Sequence, residues 1–368
     1  MWDIVRGVAT GTLFKTRKVN TDSTIFKLHY RATFCIILLF TAILAANQYV
    51  GKPIRCMHHM DEHPDEILDT FCWIHSTYTV TKAFYKKVGV DVPFPGVDNS
   101  RGNQEEVKVY RFYQWVSFCL LFQAILFYAP RWLWKTWEGG KLEALKMDLD
   151  VGIMTQVDRK QKQEMMLDYL QSNIRNHNFW AFKYFFCEIL AFINVVGQMF
   201  LMDRFFDGEF FSYGTDVINF MQSDQEDRVD PMIYIFPRMT KCTFHKYGLS
   251  GEVERHDSIC ILPLNIVNEK IYIFLWFWFI ILAVLTLILI IYRVFMFTSS
   301  KLRAYLFKIH YRLIEQYDIE KIAKHYGVGD WYLLYMIGIN IDAGIFRDVF
   351  HRLAENIKDG SEENRRMV

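Results

Sequence analysis

The sequence lacks the short motifs that carry enzymatic chemistry. It has no His-Glu-x-x-His, no Gly-rich phosphate loop, no Gly-x-Ser-x-Gly elbow and no Cys-x-x-Cys pair, so no residues are set out for catalysis, a cofactor or a resident metal. It also lacks an excess of either charge: 42 Lys and Arg stand against 41 Asp and Glu, and no nucleic-acid partner is expected. The third shortage is local. Within 32–51, 112–130 and 271–292 there is no Asp, Glu, Lys or Arg at all.

Each of those stretches is long enough for a helix rising 1.5 Å per residue to cross about 30 Å of hydrocarbon. They account for a composition that is 52% hydrophobic and 17% aromatic yet still 23% charged. A fourth apolar stretch, 184–202, contains Glu188, Asn194 and Gln198, and hydropathy alone allows a buried or re-entrant segment there. Charge at the segment ends argues for a full span. Residues 1–31 hold six Lys and Arg against two acids, and 293–312 hold five and no acid, so both ends are expected in the cytoplasm. Residues 203–270 hold seven against twelve, as an outside loop would. Both termini on one side require an even number of crossings.

The expected organisation is an all-α membrane protein built on a four-transmembrane-helix bundle. It runs as a cytoplasmic segment 1–31, spans 32–51, 112–130, 184–202 and 271–292, outside loops 52–111 and 203–270, an inside loop 131–183 and a tail 293–368. No cleavable leader is expected, because no long apolar run precedes the first span. In the first segment Trp2, Ile4, Val5, Val8 and Leu13 make a weak helical stripe, which suits either a helix on the membrane surface or a lining at a pore mouth.

Of the seven cysteines, Cys35, Cys119 and Cys187 lie in spans as small apolar fillers, while Cys56 and Cys72 fall in the first outside loop and Cys242 and Cys260 in the second. Two disulfides are expected on that oxidising side. Short strands at 240–246 and 252–259 flank a Gly248-Leu249-Ser250-Gly251 turn, and that hairpin makes a direct Cys242 to Cys260 bond the default. The alternative clamps the two loops to each other. Neither loop carries an Asn-x-Ser/Thr acceptor, which leaves a protein-docking face clear of sugar but equally suits a loop without that role.

The inside loop and the tail both read as helical. Asp342 is placed to cap a helix whose Ile345, Phe346, Val349, Phe350 and Leu353 share one face for packing, and only the stretch from Asp359 looks disordered. His58, His59, Asp61, Glu62 and His63 have no metal-site spacing and read as solvated loop. Glu188, one turn from Lys183, reads as a carboxylate snorkelling to the headgroups, and His29 as an interfacial histidine. The aromatic run from Tyr272 to Phe279 and the cluster Trp132, Trp134 and Trp137 read as anchors at the two membrane interfaces.

Several segments match one family in order and spacing. Phe112-Tyr113-Gln114-Trp115-Val116 resembles the innexin hallmark Tyr-Tyr-Gln-Trp-Val, departing only by the first Tyr. Gln48-Tyr49-Val50-Gly51, Phe71-Cys72-Trp73-Ile74, Trp137-Glu138-Gly139-Gly140, Asp207-Gly208-Glu209-Phe210, Lys241-Cys242-Thr243-Phe244 and Leu262-Pro263-Leu264-Asn265 are similar to innexins as well. Two cysteines per outside loop fits that family and not the connexins, whose loops carry three.

The resemblance implies a ring of eight like or mixed innexin subunits in the plasma membrane, surrounded by lipid, forming a hemichannel that docks onto one from the adjacent cell at a gap junction. It implies the cross-loop pairing Cys56 to Cys260 and Cys72 to Cys242. It also implies an N-terminal segment folded into the pore, bringing Trp2 and Asp3 to the conduit, and a helical cytoplasmic dome. An undocked hemichannel and a tetraspan adhesion or scaffold protein are the competing expectations.

Overall fold

The structure, a computed structural model, describes residues 19–57, 65–99, 107–146, 149, 155–223 and 230–357. In chain order these form α1 (Thr24–Tyr49), β1 (Arg55–Met57), α2 (Asp65–His75), β2 (Thr77–Val80), β3 (Val107–Tyr110), α3 (Val116–Glu138), α4 (Gln156–Ser172) and α5 (Asn178–Phe205). There follow α6 (Phe210–Gln222), β4 (Met239–Tyr247), β5 (Val253–Ile261), α7 (Pro263–Thr298), α8 (Ser300–His310), α9 (Gln316–His325), α10 (Val328–Asn340) and α11 (Ala343–Glu355).

The helices α1, α3, α5 and α7 are long and apolar enough to cross a bilayer, and each contains one of the four stretches expected to do so, or most of it. Helix α1 begins well before its expected span and α3 runs well past the end of its own, while α5 and α7 extend beyond both ends; α7, at 36 residues and about 54 Å, far exceeds the hydrocarbon thickness. Only 28 to 44% of the residues in each apolar window are buried within the chain, so many greasy side chains are left partly or fully exposed. Leu28–Thr33 of α1 is wound as a π-helix, and the Thr33 hydroxyl donates to the Leu28 carbonyl at 3.0 Å.

The chain divides into two compact units. One comprises the described parts of Leu28–Ala129 and Ala191–Leu285. Its centre is a five-stranded antiparallel sheet in the order β1-β5-β4-β2-β3, which draws strands from both expected outside loops into one ladder. The β4–β5 hairpin closes through Gly248 and Gly251, the latter at φ 81°, a conformation glycine enters without steric cost. Beside the sheet, Asp207 and Gly208 turn the chain sharply after α5 at φ 57° and 89°. The Asp203 carboxylate then accepts the amides of Phe210 and Phe211 at 3.2 and 3.1 Å, capping α6.

The other unit comprises the described parts of Met1–Lys27, Pro130–Leu190 and Thr286–Val368. It is helical, as expected of the inside loop and tail. Asp342 accepts from the amides of Gly344 and Ile345 at 2.9 and 3.2 Å, and the five apolar residues that follow on one face of α11 are all buried. They meet Phe307 of α8, whose ring stacks near those of Trp331, Phe346 and Phe350. Trp134, expected at an interface, is instead fully buried against Trp180 and Tyr184, whereas Trp132 is exposed.

Candidate functional site: a stapled sheet and its anchor

Two disulfides hold the sheet: Cys56 to Cys260 and Cys72 to Cys242. The default reading of a direct Cys242 to Cys260 bond is therefore overturned, and the hairpin register gives the reason. It sets Cys260 opposite Thr240 and Cys242 opposite Ser258, two steps out of line, while the edge strand β1 places Cys56 directly across from Cys260. Helix α2 delivers Cys72 to β4. All four cysteines are buried, among Ile54, Leu68 and Leu262, with Phe71 and Phe244 in edge-to-face contact beside them.

The Phe112–Val116 signature anchors this staple to the start of α3. Phe112 to Gln114 form a single 3₁₀ turn from which Tyr113 donates to the carbonyl of Cys72 at 3.3 Å. Gln114 donates its amide to the carbonyls of Trp73 and Ile74, the second at 3.3 Å, so the open C-terminal end of α2 is satisfied by the signature side chains. Tyr113 also packs on Trp73, ring centres 4.7 Å apart, and Phe112 enters a ring cluster with Phe206 and Phe236. Val116 is buried and Trp115 lies exposed. The linkage was invisible in the sequence because α2 and the signature are separated by about forty residues of loop and strand.

Around the sheet, Lys108 lies over the Tyr234 ring at 3.9 Å, and Glu209 stands 3.8 Å from its ammonium. Burial lowers the Lys108 pKa, with Glu209 opposing. Tyr110 donates to the Tyr234 carbonyl at 2.8 Å, and burial raises its phenol pKa. Arg238 bonds the buried Glu269 at 3.0 Å, which joins the end of the second loop to the first turns of α7. None of these groups is paired as an acid and a base would be for catalysis. Together these contacts tie the sheet to the second loop and to the first turns of α7.

Glu188 does not snorkel. It is buried in the helical unit, gripped by the Arg293 guanidinium through Nε at 2.9 Å and Nη2 at 3.0 Å, and it accepts the Ser23 hydroxyl at 2.9 Å. Sequence spacing could not reveal this partner, which comes from α7, 105 residues away. Asn194 and Gln198 bond each other at 3.2 Å one turn apart on α5. The pore-lining candidates Trp2 and Asp3, the apolar stripe beside them, the cluster from His58 to His63 and the stretch from Asp359 lie outside the described residues.

Four helices of membrane-spanning length, a disulfide-stapled sheet and a helical unit define a multi-pass membrane protein. Comparison with known proteins agrees. The family model described as Innexin matches residues 22–357. The chain is 58% identical to innexin shaking-B of Drosophila melanogaster over 97% of its own length and 95% of the relative's. It is 47% identical to innexin inx2 of the same fly, with 94% of each chain covered, and 46% identical to innexin inx2 of Schistocerca americana, covering 94% and 96%. The chain belongs to the innexin family and is a gap-junction channel subunit.

Proposed function

We propose that eight copies of this chain, or a mixture with other innexins, form a ring that encloses a wide aqueous path, and that two such rings dock across the gap between cells to pass ions and small metabolites. Both termini lie in the cytoplasm. The spans are 32–51, 112–130, 184–202 and 271–292, the loops 52–111 and 203–270 face outside, and Trp2 and Asp3 approach the path. The cross-loop pairing Cys56–Cys260 and Cys72–Cys242 carries the reading. Disulfides persist in oxidising compartments, so the bonds support placing the two loops together outside the cell, and the even number of crossings then returns both ends to the cytoplasm.

The outward-facing apolar surface of the four spans favours a ring over a pore within one chain. A single four-helix bundle fills its own centre with side chains, whereas neighbouring subunits and lipid can cover exposed Leu39, Ile193, Val284 and Ile288. An open lumen built this way selects little, because the sequence offers no evident carbonyl filter to strip water from an ion. Voltage-clamp recording from paired cells expressing the chain tests the proposal: junctional current with dye transfer is expected. Dye uptake from the medium with no cell-to-cell transfer would favour an undocked hemichannel, and absence of any conductance an adhesion role. Subunit counting in projection images of purified particles tests the ring of eight.

A further inference from the structure

Just beyond the end of α7, a half-open cavity of about 380 Å³ lies between α8 and α9, and the junctional reading gives it no role. Its walls are basic. Lys301 and Lys308, seven residues and two turns apart, share one face of α8, and Lys324 faces them from α9. Lys301 and Lys324 have no carboxylate within ion-pair distance among the described residues, and Lys308 bonds only the neutral Gln316 Oε1, at 2.5 Å. The single acid on the walls, Glu320, accepts from Gln316 Nε2 at 2.8 Å. Ala304 and Ala323 leave the interior empty, Ser300 donates to the Ala323 carbonyl at 2.8 Å and so ties the helices together, and the Tyr305 hydroxyl at the exposed edge has no hydrogen-bond partner among the described residues.

The position matters as much as the charge. The apolar run of α7 ends at Tyr292, and six more helical residues carry the chain about 9 Å further, through a headgroup layer roughly 5 to 8 Å deep on each side of the hydrocarbon. Tyr305 and Ile309, one turn apart on α8, are exposed, as residues resting on a bilayer surface would be. We propose that this cavity binds the headgroup of an anionic inner-leaflet lipid carrying more than one phosphate, a phosphoinositide, with Lys301, Lys308 and Lys324 on the phosphates and Tyr305 donating to one of them. A serine-type headgroup offers one phosphate, at the membrane plane; three cations on two helices past that plane suit phosphates that project from it. The inference rests on α7 spanning the bilayer with its C-terminal end in the cytoplasm.

The test uses the purified full-length chain in phosphatidylcholine nanodiscs that contain a few per cent of phosphatidylinositol bisphosphate, or phosphatidylserine at matched charge, with retained lipid read by native mass spectrometry. Discs expose both faces, so a wrong assignment of the cytoplasmic side leaves the result unchanged and is caught separately by tag accessibility in cells. Retention of the bisphosphate over phosphatidylserine is expected, falling roughly five-fold for each of Lys301→Gln, Lys308→Gln and Lys324→Gln. Each variant should still reconstitute into discs. An equal loss in the control Lys160→Gln/Lys321→Gln would show diffuse charge attraction and overturn the site, as would equal retention of the two lipids. Binding of free inositol trisphosphate as tightly as of the lipid would assign the cavity to a soluble polyphosphate and overturn the lipid.

Discussion

Replacing both members of one disulfide by serine, Cys56→Ser with Cys260→Ser or Cys72→Ser with Cys242→Ser, removes a staple without leaving an odd thiol. The bonds join residues 204 and 170 apart in sequence. Alone, either would restrict the unfolded chain by about 5 kcal/mol. Together they are nested: with one in place the other closes only the short path through it, roughly 34 residues from the difference of the two separations, worth about 4 kcal/mol. Either double replacement therefore costs up to about 4 kcal/mol, less to the extent that membrane insertion already holds the loop ends together. Amide exchange in β4 and β5 should quicken by as much as a thousand-fold where the sheet opens as a unit. Junctional coupling should fall while the protein still reaches the membrane, because the spans insert independently of the cap. A double-serine variant with unchanged exchange in β4 and β5 and unchanged coupling would refute the argument that the staples hold the docking surface.

The buried Glu188–Arg293 pair predicts a second result. Arg293→Met strands a carboxylate among Tyr184 and Tyr332 and should cost about 3 to 5 kcal/mol, while Glu188→Gln/Arg293→Met should recover more than half of that; thermal midpoints in detergent that simply add would show no coupling. Gly214 allows α6 to approach Trp276, since a Cβ there would lie 2.2 Å from the indole, so Gly214→Ala should destabilise by about 1 to 3 kcal/mol, and an unchanged thermal midpoint would contradict the close contact. Asp318 sits 2.7 Å from His351, and that hydrogen bond raises the histidine pKa above its ordinary 6.5. The bond's contribution is fully present below about pH 6.5 and is lost as pH rises through the raised value, so the protection of α11 amides relative to their base-catalysed intrinsic exchange should fall towards alkaline pH in the wild type and stay level in His351→Gln.

Reading the sequence went furthest where a physical rule acts locally. Bilayer thickness demands a minimum apolar length, and the stretches it marks all lie on α1, α3, α5 and α7. The Gly248 turn flanked by β-forming residues marked the hairpin, and Asp342 marked the start of α11, because turns and caps involve neighbours in the chain. Trp134 shows where such rules stop. Composition sends a tryptophan beside Arg131 and Lys135 to an interface, but residues 180 and 184 of another helix bury it.

What the sequence alone determined, then, is the number of greasy crossings, the helical nature of the inner segments and the four cysteines available to bond. Spacing left open which cysteines meet, and the tertiary structure bears out the cross-loop pairing that the family resemblance implied; only the structure decided that the signature holds the end of α2 and that Glu188 pairs with Arg293. Local periodicity reports the face a side chain presents. Pairing between residues a hundred or more apart depends on strand register and helix packing, which no spacing within one segment encodes.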